Sequence, residues 1–160
     1  MEPTRVFIHG LESTGQGTKG VYFRAHYPDM LIEDFSGPFA ARMEKLERLL
    51  AGKQELIIVG SSYGGLMAAV YACIHPDRVR KLILLAPALH LAPFEPYRQQ
   101  VLPIPVAIFH GSRDDLVPLA AIRMIAATVF PNHTLTVMDD DHPLHDTFAS
   151  LDWDTLLSLP

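Results

Sequence analysis

The sequence predicts one α/β domain, spanning residues 1–160, with a parallel sheet of about six strands and helices on both faces. Its 160 residues are 49% hydrophobic, which suits a single domain with a sizeable core. Strand-like and helix-like segments alternate along the chain, as expected for crossover connections between parallel strands. Most strand-like runs are continuous apolar stretches, which favours strands buried on both faces.

The first half of the chain contains three predicted strands and three predicted helices. The strands are Arg5–His9, Met30–Phe35 and Glu55–Gly60. The helices are Gly17–Tyr27, Pro38–Ala51 and Tyr63–His75. The second helix is the clearest of the three, because apolar residues recur along it at helical spacing with charged residues mostly between them.

The second half continues the alternation, with one irregular segment. The predicted strands are Val79–Ala86, Pro105–His110 and Thr134–Met138, and the predicted helices are Pro118–Phe130 and a terminal stretch near His145–Leu157. Residues Pro87 to Pro103 include four prolines, with a short helical possibility at Pro96–Val101. We expect this segment to be a surface loop with a turn of helix, too short to form a large lid.

Composition excludes several classes of partner. The net charge is −5 and the 13 basic residues are scattered, which argues against nucleic-acid binding and favours a small-molecule substrate. The single cysteine, Cys73, cannot form an internal disulfide, and no charged leader precedes the first strand, so we expect a cytoplasmic protein. No apolar run approaches the roughly 20 residues needed to span a membrane. The oligomeric state is left open.

A candidate nucleophile lies at the end of the third strand. Residues 60–64 read Gly-Ser-Ser-Tyr-Gly, the G-x-S-x-G pattern, between an apolar run and an alanine-rich helical stretch. In this strand-to-helix context, the serine occupies a sharp turn that raises its Oγ above the sheet edge. We therefore predict that Ser62 is a nucleophile, against the alternative of a glycine turn that only packs a helix on a sheet.

Acids and histidines follow the last two predicted strands. Asp114 and Asp115 come shortly after the strand that ends at His110, and His142 and His145 come shortly after the last strand. The carboxyl ends of parallel strands share one edge of the sheet, where sites assemble. One acid and one histidine are therefore expected to serve Ser62, in the chain order serine, acid, histidine. The residues alone leave both choices open.

These motifs together resemble the small, lidless α/β-hydrolase-fold serine hydrolases, such as the YqiA-type and retinoblastoma-binding-protein-9-like esterases. The resemblance covers nearly the whole chain, including the G-x-x-D-x-x-V-P stretch at residues 111–118. It implies that Asp114 is the acid and His142 the base. It also implies an oxyanion hole formed by the backbone N–H groups of Leu11, in the loop after the first strand, and Tyr63. The chain departs from many relatives at residues 139–141, where three aspartates replace Gly-Gly-Asp.

The expected activity is hydrolysis of a carboxylic ester or thioester of a small acyl substrate through an acyl-enzyme on Ser62. No cofactor is expected, and no metal, because the other histidines lie in separate segments without ligand-like spacing. The alternative is a catalytically weak α/β-hydrolase scaffold used as a binding or regulatory module, since a fold alone does not establish an activity.

Overall fold

The computed structural model describes residues 2–11 and 13–160, and within them the chain forms six strands, five α-helices and two 3₁₀ helices. The strands are β1 (Thr4–Ile8), β2 (Leu31–Ile32), β3 (Leu56–Ser61), β4 (Val79–Leu85), β5 (Val106–Gly111) and β6 (His133–Met138). The α-helices are α1 (Thr18–His26), α2 (Phe39–Leu50), α3 (Tyr63–Ile74), α4 (Leu119–Val129) and α5 (Trp153–Leu156). The 3₁₀ helices are Ala92–Tyr97 and Phe148–Ser150. None of the helices in these two ranges is long and apolar enough to cross a membrane.

The strands form one parallel sheet in the order β2-β1-β3-β4-β5-β6. The chain moves from β1 to β2 on one side, returns past β1 to β3, and then continues outward to β6. This reversal is a topological switch point, where open α/β sheets form a crevice at the carboxyl ends of their strands. Ile8 pairs with Gly60, so the chain leaves β1 and β3 side by side at this crevice.

Successive strand residues point into two apolar clusters, one on each face of the sheet. On one face, strand residues such as Val6, Ile58 and Leu84 pack with residues of α2, α3 and α4. On the other face, Phe7, Ile57 and Ile83 pack with residues of α1 and α5. Strand residues that alternate between two apolar environments must be apolar at every position, which explains the continuous apolar runs. The predicted fold class is confirmed.

The segment between β4 and β5 packs onto the body of the domain. Phe94 and Leu102 are fully buried, and the 3₁₀ helix Ala92–Tyr97 lies against α3. The segment therefore forms no large lid within the described residues. The helical turn was predicted at Pro96–Val101 and lies closer to the amino terminus, because burial of Phe94 fixes the turn around that side chain.

Two sequence predictions about local structure are wrong. The single terminal helix near His145–Leu157 is instead the 3₁₀ helix Phe148–Ser150 followed by α5, because Leu151 is extended and the Asp152 side chain accepts a hydrogen bond from the Thr155 amide to begin a new helix. Strand β6 is also not buried on both faces. It lies at the sheet edge, and Thr134 and Thr136 on it are exposed.

Candidate active site

Ser62 occupies the turn between β3 and α3 in a strained backbone conformation. Its φ is 56° and its ψ is −113°, outside the regions that non-glycine residues usually adopt. The Ser62 amide donates to the Leu85 carbonyl at 2.8 Å, and its carbonyl accepts from the Gly65 amide at 3.0 Å and the Ala88 amide at 3.0 Å. These bonds to neighbouring segments hold the strained residue in place.

Two glycines allow the turn to be this sharp. A Cβ on Gly64 would lie 2.1 Å from the Ile8 carbonyl oxygen, and a Cβ on Gly60 would lie 2.4 Å from the Gly64 carbonyl oxygen. Neither distance is sterically possible, so only glycine lets α3 approach β1 and β3 this closely. The glycines that flank Ser62 in the sequence therefore serve the packing that the motif predicts.

The side chains of Ser62, His142 and Asp114 form one hydrogen-bonded series. Ser62 Oγ lies 2.9 Å from His142 Nε2, and His142 Nδ1 lies 2.7 Å from Asp114 Oδ2. The hydroxyl is placed to donate to Nε2 while Nδ1–H donates to the carboxylate. This is the arrangement in which an imidazole accepts a proton from a serine and a carboxylate orients the imidazole.

The carboxylate of Asp114 is buried and held by backbone donors. Its side chain is 1% exposed, and Oδ1 accepts hydrogen bonds from the Leu116 and Val117 amides, both at 2.8 Å. Burial alone would raise the pKa of Asp114. The hydrogen bonds from the Val117 amide, the His142 ring and the Leu116 amide outweigh that effect, so the pKa is lowered and the group stays ionised.

The rival residues lie outside this series. Asp115 is exposed. The His145 side chain is 80% exposed, and its Nδ1 lies 3.8 Å from Asp141 Oδ2. The structure therefore brings Asp114 and His142 to Ser62, and leaves Asp115 and His145 at the surface. The catalytic roles of all these residues stay predictions.

The predicted oxyanion donors belong to two chain segments next to Ser62. Tyr63 is the first residue of α3, where amides have no intrahelical acceptor and the helix dipole favours negative charge. Leu11 follows Gly10, and a Cβ on Gly10 would lie 3.5 Å from the Cβ of Ser62. The backbone after β1 is therefore close enough to Ser62 to contribute to the same site.

A buried histidine, His9, orients the backbone after β1. The sequence motifs did not predict this role. His9 is 1% exposed, and its Nε2 accepts a hydrogen bond from the Phe35 amide at 2.8 Å. Its Nδ1 must then carry the proton, which it donates to the Gly10 carbonyl at 2.7 Å. Because C=O and N–H point in opposite directions across a trans peptide, this bond also sets the direction of the Leu11 N–H. Burial lowers the pKa of His9, which favours the neutral ring that this arrangement requires.

A second buried histidine braces the loop that carries Asp114. His110 is fully buried, its Nε2 donates to the Val117 carbonyl at 3.0 Å, and the same nitrogen lies 3.5 Å from Asp114 Oδ2. His110, the penultimate residue of β5, thus lies close to the loop that follows the strand. A Cβ on Gly111 would lie 2.4 Å from the Asp141 carbonyl oxygen, so glycine is also needed where this loop meets the loop after β6.

Asp140 organises the loop that carries His142. Its fully buried carboxylate accepts hydrogen bonds from the Asp141, Asp146 and Thr147 amides and from the Thr147 hydroxyl. Burial raises the pKa of Asp140, but these hydrogen bonds, the one from the Thr147 hydroxyl foremost, lower it to about 2. The sequence offered one signal for this role, the departure from Gly-Gly-Asp at residues 139–141.

A cavity of about 460 Å³ opens beside Ser62. Its walls come from β1 and the segment after it, the first turn of α1, the turn at Ser62, and the loops after β5 and β6. The lining residues include Phe7, Leu11, Lys19, Leu116, His142 and Phe148. Within residues 2–11 and 13–160, no group of three or more histidine, cysteine, aspartate or glutamate side chains converges as a metal site would require.

Comparison with known proteins identifies the family. A family model described as alpha/beta hydrolase fold matches residues 12–104, more than half of the chain. The chain belongs to the alpha/beta hydrolase fold family. The resemblance noted from the sequence motifs is thereby confirmed at the level of the family.

Solved structures of low sequence identity share the fold of this family member over nearly its whole length. Alpha/beta hydrolase domain-containing protein 10 from mouse has a TM-score of 0.77 at 19% identity, covering 98% of this chain and 91% of that one. The monoacylglycerol lipase of Paleococcus ferrophilus has a TM-score of 0.78 at 14% identity, covering 98% and 96%. Est1E from Butyrivibrio proteoclasticus has a TM-score of 0.76 at 18% identity, covering 98% and 86%.

One curated relative is closer in sequence over a short segment. Homoserine O-acetyltransferase of Thermus thermophilus is 35% identical over 65 residues, which are 40% of this alpha/beta hydrolase and 16% of the relative. The matched segment thus spans about a sixth of the length of that relative.

Proposed function

We propose that this chain is a serine hydrolase that cleaves a carboxylic ester or thioester of a small acyl substrate through an acyl-enzyme on Ser62. The observation that carries the proposal is the hydrogen-bonded series from Ser62 Oγ through His142 to the buried Asp114, at 2.9 and 2.7 Å. The hydroxyl, the ring and the carboxylate already have the contacts that nucleophilic attack requires.

The first half of the reaction acylates Ser62. The Oγ atom attacks the substrate carbonyl while its proton moves to His142 Nε2, and Asp114 stabilises the imidazolium that forms. The Leu11 and Tyr63 N–H groups are the proposed donors to the oxyanion of the tetrahedral intermediate. As the intermediate collapses, His142 returns the proton to the departing alcohol or thiol, and the acyl group stays on Oγ.

The second half releases the acyl group as a carboxylic acid. His142 takes a proton from a water molecule, whose oxygen attacks the acyl carbonyl, and then returns that proton to Ser62 Oγ. Every proton in this sequence is handled by His142 and every developing charge by Asp114 or the backbone donors. The mechanism therefore uses no metal ion or organic cofactor.

The cavity supports a substrate of modest size. Its volume of about 460 Å³ lies toward the lower end of the roughly 300 to 1,000 Å³ usual for small-molecule sites. The segment between β4 and β5 packs on α3 and adds no large lid from which a long acyl tunnel could be built.

Labelling with a fluorophosphonate probe tests the nucleophile. We expect the wild-type protein to be labelled at Ser62 and the Ser62→Ala variant to be unlabelled, with Ser61→Ala as the matched control because Ser61 also lines the cavity. Folded wild-type protein that takes up no label would contradict the proposal and favour the binding-module alternative. Hydrolysis of p-nitrophenyl esters of increasing chain length, beside matched thioesters, would then define the substrate class.

The match to a homoserine O-acetyltransferase favours a second candidate, acyl transfer from Ser62 to a hydroxyl acceptor instead of water. Both reactions share the acyl-enzyme and differ only in what His142 deprotonates next. Adding a primary alcohol such as homoserine to the ester assay separates them. An acyltransferase would form the new ester in preference to the free acid, and a hydrolase would form the acid at an unchanged rate.

A further inference from the structure

The cavity beside Ser62 contains a lysine whose charge the proposed mechanism does not use. Among the described residues that line the cavity, Lys19 is the only lysine, arginine, aspartate or glutamate. Its Nζ donates to the Pro143 carbonyl at 2.7 Å and lies 5.3 Å from the centroid of the Phe148 ring. The ammonium group is therefore held at the cavity wall, next to the loop that carries His142.

No carboxylate in the described part of the chain forms an ion pair with this ammonium group within 4.0 Å. Asp141 and Asp140 act on Lys19 only through their charges, because Asp140 accepts four hydrogen bonds from its own loop and Asp141 accepts one from the His145 amide. Burial lowers the pKa of Lys19, although Asp141 and Asp140 act in the opposite direction. An anion beside Nζ would form a charge-assisted hydrogen bond with the ammonium group of this partly buried side chain.

The first turn of α1 adds to the positive potential at the same wall. Thr18, Lys19 and Gly20, its first three residues, all line the cavity. Amides in the first turn have no intrahelical acceptor, and the preceding residue, Gly17, has no side chain that could cap them. A helix amino terminus therefore reinforces the charge of the lysine.

Much of the remaining cavity lining is apolar. Phe7 and Phe148 line it as buried side chains, and Leu11 and Leu116 line it while remaining 50% and 66% exposed. The cavity thus combines one cationic region with an apolar lining. A substrate that matches both has an aliphatic chain ending in a negative group.

We propose that the substrate carries a carboxylate on its acyl chain, and that Lys19 is the residue that selects for it. The substrate class is then the half-ester or half-thioester of a short dicarboxylic acid, with the reacting carbonyl at Ser62 and the free carboxylate at Lys19 Nζ and the first turn of α1. This assignment rests on the proposed function, and it specifies in addition that the acyl group is negatively charged. The free carboxylate takes no part in bond making.

The activity test compares substrates that differ only in charge. Monoethyl succinate, glutarate and adipate are each paired with the neutral ester whose free carboxylate is replaced by a carboxamide, and ethanol release gives kcat/KM. We expect the wild-type protein to prefer the charged member by about tenfold at the best chain length, the low end for a charge-assisted hydrogen bond. Lys19→Met should bring the ratio close to 1, and Lys19→Arg should keep most of it.

The ratio of the two kcat/KM values within a pair separates selection of the carboxylate by Lys19 from any support that Lys19 gives to the loop of His142. Loss of the hydrogen bond to Pro143 would slow both members of a pair and cancel in the ratio. Lys53→Met is the matched control for net charge, because Lys53 follows α2 and does not line the cavity, and it should keep the wild-type ratio. A ratio near 1 in the wild-type protein at every chain length, or a ratio that Lys19→Met leaves unchanged, would overturn the proposal.

Binding to Ser62→Ala tests the proposal without turnover. Calorimetric titration should give a dissociation constant about tenfold lower for the charged ester than for its carboxamide, and adding Lys19→Met should abolish the difference. Equal affinities would overturn the role of Lys19 and leave a serine hydrolase intact. The opposite result is also distinguishable. If the wild-type protein takes up no fluorophosphonate but the charged ester still binds preferentially, the proposed catalysis would be wrong and the recognition of the anion would stand.

Discussion

Around Ser62 the backbone is packed as closely as glycine allows, whereas around His142 the chain is held by buried polar side chains. The Ser62 turn depends on Gly60 and Gly64, where a Cβ would lie 2.4 Å and 2.1 Å from backbone oxygen atoms. The loop of His142 depends on the carboxylate of Asp140, which accepts four hydrogen bonds. One region is positioned mainly by steric exclusion and the other mainly by electrostatics, so they should respond differently to substitution and to pH.

The largest expected effect falls on the polar region, at the acid that orients His142. Asp114→Asn removes the charge that stabilises the imidazolium and favours the wrong ring tautomer, so we expect kcat for a p-nitrophenyl ester to fall roughly 10⁴-fold. The neighbouring Asp115→Asn, at an exposed side chain, is the matched control and should change kcat by less than about twofold. Equal losses in the two variants would contradict the assignment of Asp114.

The second-largest expected effect tests the closely packed region around Ser62. Gly64→Ala places a methyl group 2.1 Å from the Ile8 carbonyl oxygen, and we expect the free energy of unfolding in urea to fall by about 3 kcal/mol, the upper range for overpacking. The control is Gly52→Ala, because a Cβ there meets nothing within 4 Å and the cost comes only from its φ of 73°. That variant should lose about 1 kcal/mol. Similar losses at both sites would mean that α3 can move away from β1 without penalty.

A substitution at Asp140 is the corresponding test of the region around His142. Asp140→Asn replaces an acceptor of four hydrogen bonds with a group that is half donor, and we expect a loss of about 2 kcal/mol at neutral pH. Asp139→Asn is the surface control, since that side chain is 89% exposed, and should stay within about 0.5 kcal/mol of wild type.

The stabilisation by Asp140 should also depend on pH in a defined direction. The pKa of Asp140 is about 2 in the folded protein, below the value of about 3.9 for an unfolded chain. A lowered carboxylate pKa stabilises the fold above the unfolded value, and the contribution disappears as the pH falls through the folded value. The difference in unfolding free energy between wild type and Asp140→Asn should therefore shrink between about pH 4 and pH 2. A constant difference across that range would show that the charge of Asp140 is not what matters.

The two regions also differ in how far the sequence predicts them. The turn at Ser62 leaves a local signature, because its glycines lie within two residues of the serine and its strand and helix adjoin it. Spacing alone could not choose Asp114 over Asp115, since that choice depends on which carboxylate the Leu116 and Val117 amides meet after the loop folds.

Contacts between segments that are far apart in the sequence were not predicted, for a related reason. The hydrogen bond from Lys19 to Pro143 joins residues 124 positions apart, and no local pattern encodes it. The burial of Asp140 likewise depends on residues 146 and 147 folding back over it. The sheet was predictable because apolar runs record burial directly, whereas polar networks between loops depend on a fold that must already exist.

The smallest expected effect lies where the two regions meet, at His9. His9→Gln can keep an acceptor for the Phe35 amide but loses the donor to the Gly10 carbonyl, and His9→Asn can do the opposite. If the bond to Gly10 directs the Leu11 N–H, only His9→Gln should lower kcat, by about tenfold, which is less than the loss of a whole oxyanion donor. Both variants should lose some stability in urea, because each breaks one buried hydrogen bond. Equal reductions in kcat would assign His9 to the packing of β1 alone, and the backbone after β1 would then be positioned sterically, as the turn at Ser62 is.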